Sequence, residues 1–397
     1  MKIQVVSQYF HPDNFRINEI VAELTQNGHE ISVLTGLPDY ANGRIPKEYK
    51  WFKKRKESWQ GAKINRVTTI ARRKGVIFRA LNYFSFMFSG WLRATFQKKP
   101  DCDAIFVYQT SPVFQAVPAI KLKKRTKKKL VLYCCDLWPE SLKAWGVKET
   151  SFLFKMVKRY SARLYKKCDV IAVTSKPFIT YLTEVCGIDE NKIIYLPQHA
   201  EDMFADIVGQ YEENDCYDFL FAGNIGAVQN LDIVLRAAAQ VQTDAPYKIH
   251  LVGDGSEVES LKVLASELNI ADKVVFHGRF PLEDMPRFYK MADCFLLTLR
   301  GGDFIGMTLP VKSQSYLSIG KPVLGVAEGA IYELISELKC GRVVNHDDIE
   351  ALALSMKDMI ENEPYYRQQG LSGRAAFEAD YTKEKFISSL LSILQGA

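Results

Sequence analysis

The run Ile3–Gln8, IQVVSQ, opens an alternation that restricts the fold more than any other feature of the chain. The turn Tyr9-Phe10-His11-Pro12-Asp13 follows, then a helical run from about Phe15, a stop at Asn27-Gly28 and a second apolar run at Ile31–Thr35. Ile17, Ile20, Val21 and Leu24 recur at helical spacing and predict one buried face. Strand, turn, helix, strand in that order predicts a doubly wound α/β domain. Ligands of such sheets sit beyond the carboxyl ends of the strands. The residues after each apolar run are therefore the candidates for function. Arg16, in the first such turn, is a candidate contact for an anionic substrate group facing a cleft.

The alternation continues through Ile64–Ile70, Ala104–Tyr108, Leu130–Cys134, Val170–Thr174 and Ile193–Leu196, and then stops. Pro197–Cys216 is polar and acidic without periodicity, as a linker would be, and a second series starts at Asp218–Ala222. The expected organisation is an N-terminal domain over 1–196, a linker over 197–216, a C-terminal domain over 217–375 and a last helical segment over 376–397. With 47% hydrophobic and 25% charged residues, disordered and fibrous classes are excluded. Eight cysteines without a CxxC or metal-like spacing, behind an N-terminus that reads as a strand, point to a reduced, cytosolic chain with no metal site.

Charge divides unevenly. Residues 1–196 carry 35 basic and 16 acidic side chains, net +19, whereas residues 197–397 carry 17 and 30, net −13. The first half thus suits an anionic surface. No zinc-finger, RRM-like or helix-turn-helix signature accompanies the charge, so a membrane is favoured over nucleic acid. Lys50, Trp51, Phe52, Lys53, Lys54, Arg55 and Lys56, within the long loop Gly36–Gly61, interleave cations with aromatics as a bilayer interface prefers. Val76–Phe96 reads as a core helix or an interfacial one. Its uncharged stretch between Arg79 and Arg93 is well short of the ~20 residues a membrane crossing needs. Asp101–Asp103 and the lysine run Lys121–Lys129 both precede strands, on the edge away from a ligand.

The stretch Gly301–Val326, GGDFIGMTLPVKSQSYLSIGKPVLGV, carries the sharpest chemistry. A helical run from Leu309 to Ile319 ends at Gly320, which can take the left-handed cap, and Pro322 forbids continuation. A glycine-flanked turn, Gly306-Met307-Thr308, leads into the helix N-terminus, whose free N–H groups and dipole suit a phosphate. Lys312, one turn in, adds a full positive charge.

Phe304, Gly306 and Gly320-Lys321-Pro322-Val323 resemble the donor-site signature of the retaining glycosyltransferases of family 4, which have the GT-B fold: α/β, two facing Rossmann-like domains with a central cleft. Pro310-Val311-Lys312, Gln314-Ser315-Tyr316 and the turn Asp136-Leu137-Trp138-Pro139-Glu140-Ser141 resemble the subgroup that builds O-antigen, colanic-acid and capsule units. The resemblance implies donor contacts at Gly223, Asn224, Gln229, Gly253, Arg279, Gly306, Met307, Thr308 and Ser315. Asp136 is the candidate for orienting acceptor or donor hydroxyls, and Glu140 joins Arg16 as a candidate on the acceptor side of the cleft. The family's diphosphate-gripping Arg and Lys are replaced by Asn224 and Gln229. The second glutamate of its Glu-x7-Glu pair aligns with Ser315, and the first finds only Asp303.

That resemblance implies transfer of a sugar such as N-acetyl-L-fucosamine from a UDP-sugar to an undecaprenyl-diphosphate-linked sugar, without a cofactor, at the cytoplasmic face of the membrane. Lys312 takes the leaving-group role, with Asp303 and Asp136 as its catalytic companions. A UDP-sugar epimerase of the same fold and a non-catalytic nucleotide-sugar-binding protein stay open as alternatives.

Overall fold

The computed structural model describes residues 1–40, 43–51, 53–302 and 304–396. Two compact units emerge: Met1–Leu196 together with the residues from Ile387 onward, and Pro197–Phe386.

The first unit holds eight strands: β1 (Lys2–Val6), β2 (Glu30–Thr35), β3 (Lys56–Trp59), β4 (Ala62–Arg66), β5 (Ala104–Gln109), β6 (Lys129–Cys134), β7 (Val170–Val173) and β8 (Ile193–Tyr195). Their order is β3-β4-β2-β1-β5-β6-β7-β8, and only the β3–β4 pair is antiparallel. β5 is buried along its whole length, as expected of a strand covered on both faces. The first helix, Arg16–Gln26, buries Ile17, Ile20, Val21 and Leu24.

Two expectations need correction here. The segment Gly36–Gly61 is not one long loop, because its last residues form β3 and return through a hairpin onto β4. The sequence KESW carries no apolar run, so only pairing with Ala62–Arg66 makes it a strand. Trp59 accordingly packs inward, with ring centroids 4.9 Å from His11 and 5.5 Å from Phe10. The strand expected to reach Ile70 ends at Arg66.

Helix Val76–Phe96 has two distinct faces. Asn82, Tyr83, Phe86, Gly90 and Ala94 are buried, and Gly90 lets the backbone approach so closely that a Cβ there would lie 2.6 Å from Pro118 Cγ. On the other side Ile77, Leu81, Phe84 and Phe88 are exposed. The core reading therefore holds for one face, and the other presents apolar side chains to solvent. No described helix is long and apolar enough to cross a membrane. Lys129 Nζ donates to the Ile393 carbonyl at 2.6 Å, tying the last helix, Lys383–Gln395, to the start of β6.

The second unit is built on β9 (Tyr217–Ala222), β10 (Tyr247–Val252), β11 (Val274–Gly278), β12 (Cys294–Thr298), β13 (Val323–Val326) and β14 (Gly341–Val344). The order β11-β10-β9-β12-β13-β14 is parallel throughout. Phe204, from the stretch expected to be a linker, is fully buried against Tyr289, with ring centroids 4.7 Å apart.

The Gly-Lys-Pro-Val motif has a structural explanation. Gly320 caps helix Lys312–Ile319 at φ 77°, in the left-handed region. Lys321, only 1% exposed, donates from Nζ to the carbonyls of Tyr289 (2.9 Å), Lys290 (2.7 Å) and Ala292 (2.5 Å). Tyr289 and Lys290 lie in the last turn of helix Met285–Met291 and Ala292 caps it, so these carbonyls have no partner within the helix. Lys321→Met keeps the apolar stem and removes all three donors. The expected cost is about 3 kcal/mol, because the buried carbonyls lose their partners. Urea unfolding checks it, and an unchanged midpoint overturns it.

Candidate active site

Since the second sheet is parallel throughout, the carboxyl ends of its strands share one edge. That edge is built of bare backbone. Gly223 follows β9, Gly253 follows β10, and Gly278 closes β11; Gly223 N donates to Val252 O at 2.9 Å and Gly253 N to Gly278 O at 2.8 Å. Gly253 has φ 144°, and a Cβ on it would fall 1.7 Å from the Gly223 carbonyl oxygen. Only glycine permits this approach.

Lys312 reaches this edge. Its Nζ donates to Gln229 Oε1 at 2.6 Å and lies 3.7 Å from the centroid of the Phe221 ring. A Cβ on Gly223 would sit 4.0 Å from the same amine. Gly223 and Gln229, in the turn after β9, and Lys312, 83 positions beyond Gln229, are thus one constellation. The helix begins at Lys312 rather than Leu309, so the lysine occupies its first position instead of standing one turn in. Pro310, without an N–H, instead accepts from Ser313 N at 2.9 Å. Lys312 keeps partial contact with solvent, but desolvation around its amine pulls the ammonium down to about 7.

The turn before this helix is fixed from below. Ile305 N and Gly306 N both bond to Gly302 O, Thr308 N bonds to Ile305 O, and Ala330 N donates to Gly306 O at 2.8 Å. Met307 lies between them, partly buried. Asp303 lies outside the described residues. Ser315 is buried, and its Oγ donates to Glu201 Oε2 at 2.6 Å. Asn224 folds over Gly226, where a Cβ would meet its Nδ2 at 2.7 Å. Arg279 is exposed just past β11. Arg300 is spent on structure, donating to Ala227 O at 2.6 Å and to Asp232 Oδ1 at 2.8 Å.

Sequence reasoning missed two carboxylates at this edge. Glu201 reaches Ser315, and Glu328, after β13, packs beside Gly306 with its Oε1 2.8 Å from His346 Nδ1. Glu328 carried a usable signal, an acid just past a strand of a parallel sheet. Glu201 carried none.

In the first unit the candidates stand in turns that follow strands. Arg16 opens the first helix, 3.9 Å from Glu19, and its charge acts on the Tyr108 and Tyr133 hydroxyls. Asp136 follows β6; burial raises its carboxyl, opposed by hydrogen bonds from Ser141, Ser111 and Trp138. Glu140 is buried and engaged by the Tyr181 hydroxyl at 2.6 Å and by Lys143 at 2.7 Å. In the basic stretch Lys50, Lys53, Lys54 and Lys56 are exposed and Trp51 is 88% exposed. Arg55 departs from the expected outward set, with its guanidinium 3.4 Å from Val67 O. Phe52 lies outside the described residues.

The two units match two known domains: Glycosyltransferase Family 4 over residues 15–198 and Glycosyl transferases group 1 over residues 205–376. The chain is a family 4 glycosyltransferase of the GT-B fold. This glycosyltransferase is similar to a glycosyl transferase assigned to colanic acid biosynthesis, WcaI of Escherichia coli K12. The two are 22% identical, over 83% of this chain and 84% of that one. A GDP-mannose-dependent phosphatidylinositol monomannoside mannosyltransferase of Mycolicibacterium smegmatis is 29% identical over 36% of the glycosyltransferase, a match that spans only 38% of the relative's length. Among solved structures, Anabaena Alr3699/HepE in complex with UDP shares the fold, with TM-score 0.69, 14% identity and full coverage of both chains. Sucrose-phosphate synthase of Thermosynechococcus elongatus does so with TM-score 0.72 and 16% identity, over 100% of this chain and 98% of that one.

Proposed function

We propose that this glycosyltransferase moves a sugar from a UDP-sugar to a polyprenyl-diphosphate-linked sugar during bacterial surface polysaccharide synthesis. N-acetyl-L-fucosamine or a similar sugar is the proposed cargo, and undecaprenyl diphosphate the proposed carrier. The observation that carries the reading is the Lys312–Gln229–Gly223 constellation at the bare carboxyl edge of a parallel sheet. The similarity to WcaI along most of both chains supports the polysaccharide context, as does a shorter match to AmsK, an amylovoran biosynthesis glycosyltransferase of Erwinia amylovora.

In the reaction, the bond from the anomeric carbon to the β-phosphate oxygen breaks, UDP departs, and the acceptor oxygen bonds to the anomeric carbon as its proton is released. Negative charge grows on the leaving diphosphate. Lys312, the helix dipole behind it and the N–H groups of the glycine turns stabilise that charge. Gln229 holds the lysine on station until the diphosphate arrives.

The test is nucleotide release by purified protein across UDP-, GDP- and dTDP-sugars, with and without a polyprenyl-diphosphate-sugar acceptor. Acceptor-dependent release of UDP is expected. Epimerised sugar without release, or binding without turnover, would replace the proposal with an epimerase or a binding protein.

A further inference from the structure

The first unit contains an open cavity of about 1030 Å³, which the assignments above touch only at Lys50, the first residue of the basic-aromatic stretch. Its volume sits at the upper end of the roughly 300–1,000 Å³ usual for small-molecule sites. Arg44, Lys50, Arg72, Arg73, Lys74 and Arg79 line it, and its described lining residues include no carboxylate. Such a concentration of like charge is unfavourable by itself and calls for an anion.

The basic wall is anchored to the core. Asp39, only 2% exposed, accepts from Arg72 N at 2.9 Å and from Asn82 Nδ2 at 2.8 Å, which ties the 71–74 segment to helix Val76–Phe96. The Arg72 guanidinium lies 4.4 Å from the Tyr40 ring centroid, on the cavity wall. Arg72, Arg73 and Lys74 are therefore carried on a segment tied to the core.

The second observation is what leaves the cavity. Helix Val76–Phe96 starts directly after Lys74, and Ile77, Leu81, Phe84, Phe88 and Trp91 form an exposed apolar stripe at helical spacing. At 1.5 Å per residue the stripe runs about 20 Å from the cavity. Phe84 stacks on Phe114 (5.7 Å), which meets Tyr160 (5.3 Å) of helix Phe152–Tyr165, where Phe152, Leu153 and Met156 are also exposed. An anion pocket at the foot of an apolar track matches an amphiphile with a multiply charged head.

We propose that this cavity binds the diphosphate of the lipid-linked acceptor, with the first isoprene units lying along the Ile77–Phe88 stripe. The proposal rests on the acceptor class given above but is read out by binding, without sugar transfer. The cavity grips the part of the acceptor that does not react and so positions the part that does.

The probes are farnesyl diphosphate, inorganic pyrophosphate and farnesol, titrated into the full chain by calorimetry below the lipid's critical micelle concentration. Farnesyl diphosphate is expected to bind at least about tenfold more tightly than either other probe, because charge-assisted bonds and apolar contact act together. Arg44→Ser/Arg73→Ser/Lys74→Ser, all at exposed positions, should weaken it by about tenfold or more and leave UDP affinity unchanged. Arg44→Lys/Arg73→Lys should largely retain it. Phe84→Ser/Phe88→Ser should bring farnesyl diphosphate toward the affinity of pyrophosphate. Wild-type affinity in the triple serine variant, equal binding of pyrophosphate and farnesyl diphosphate, or competition by UDP would each overturn the assignment. Binding as expected, in a protein that never glycosylates a polyprenyl-diphosphate sugar, would leave the cavity standing and remove the proposed reaction instead.

Discussion

Lys312→Ala is expected to lower turnover by about 10²–10³, with a much smaller change in donor KM, because a donor aimed at developing charge acts mainly in the transition state. The amine sits 2.6 Å from Gln229 Oε1 and over the Phe221 ring, at the edge where glycine turns expose backbone. Desolvation pulls its ammonium down to about 7, so in the empty site the charged form dominates below that pH and is lost above it. The rate kcat/KM should therefore fall as pH rises through about 7. A bound diphosphate favours the ammonium, so the corresponding limb of kcat should lie at higher pH. Lys312→Arg should abolish the limb, since a guanidinium does not titrate there, yet leave the rate below wild type because a planar fork does not replace a compact ammonium. Near wild-type kcat in Lys312→Ala with a lipid-linked acceptor would return attention to Arg16 and Arg279.

Gly253→Ala is expected to be the most damaging single methyl group in the second unit. The added carbon would sit 1.7 Å from the Gly223 carbonyl oxygen, a backbone atom that cannot rotate away, and φ 144° is itself unfavourable for alanine. The loss should be about 3 kcal/mol or more, with UDP binding abolished, since β9 and β10 must part to relieve the clash. Gly278→Ala is the control. At φ 80° with open space around the missing Cβ, it should cost only about 1–2 kcal/mol for the left-handed backbone. Urea unfolding and UDP calorimetry on both variants decide it; equal effects would mean that the Gly223–Gly253 approach is not what fixes the edge.

Much of the fold was legible because periodicity and turn chemistry agreed. Ile17, Ile20, Val21 and Leu24 announced a helix face, and Gly320 with Pro322 announced a helix end. What stayed hidden depends on tertiary pairing. β3 is a strand only because Ala62–Arg66 lies beside it, and no local pattern announces that Trp59 stacks on His11. The candidate site was half visible. Lys312 and Gln229 were named for different reasons, and nothing in their spacing reveals that they touch. Glu201 was invisible, since its partner Ser315 is 114 positions away and no local pattern reports a contact at that range. Lys321 shows the opposite error. Part of a motif read for its function, it serves the end of another helix.

The first unit is discontinuous, because residues from Ile387 onward belong with Met1–Leu196 and Lys129 is bonded to the Ile393 carbonyl. On the ribosome, its last piece cannot arrive until the whole of Pro197–Phe386 has been made. At 5–20 residues per second that is a wait of roughly ten to forty seconds. Throughout that interval the basic half exists without its closing helix, and its exposed aromatic face is already out of the exit tunnel. The acidic half, by contrast, is contiguous and can complete its sheet as soon as it emerges. The half made second is thus able to finish folding first.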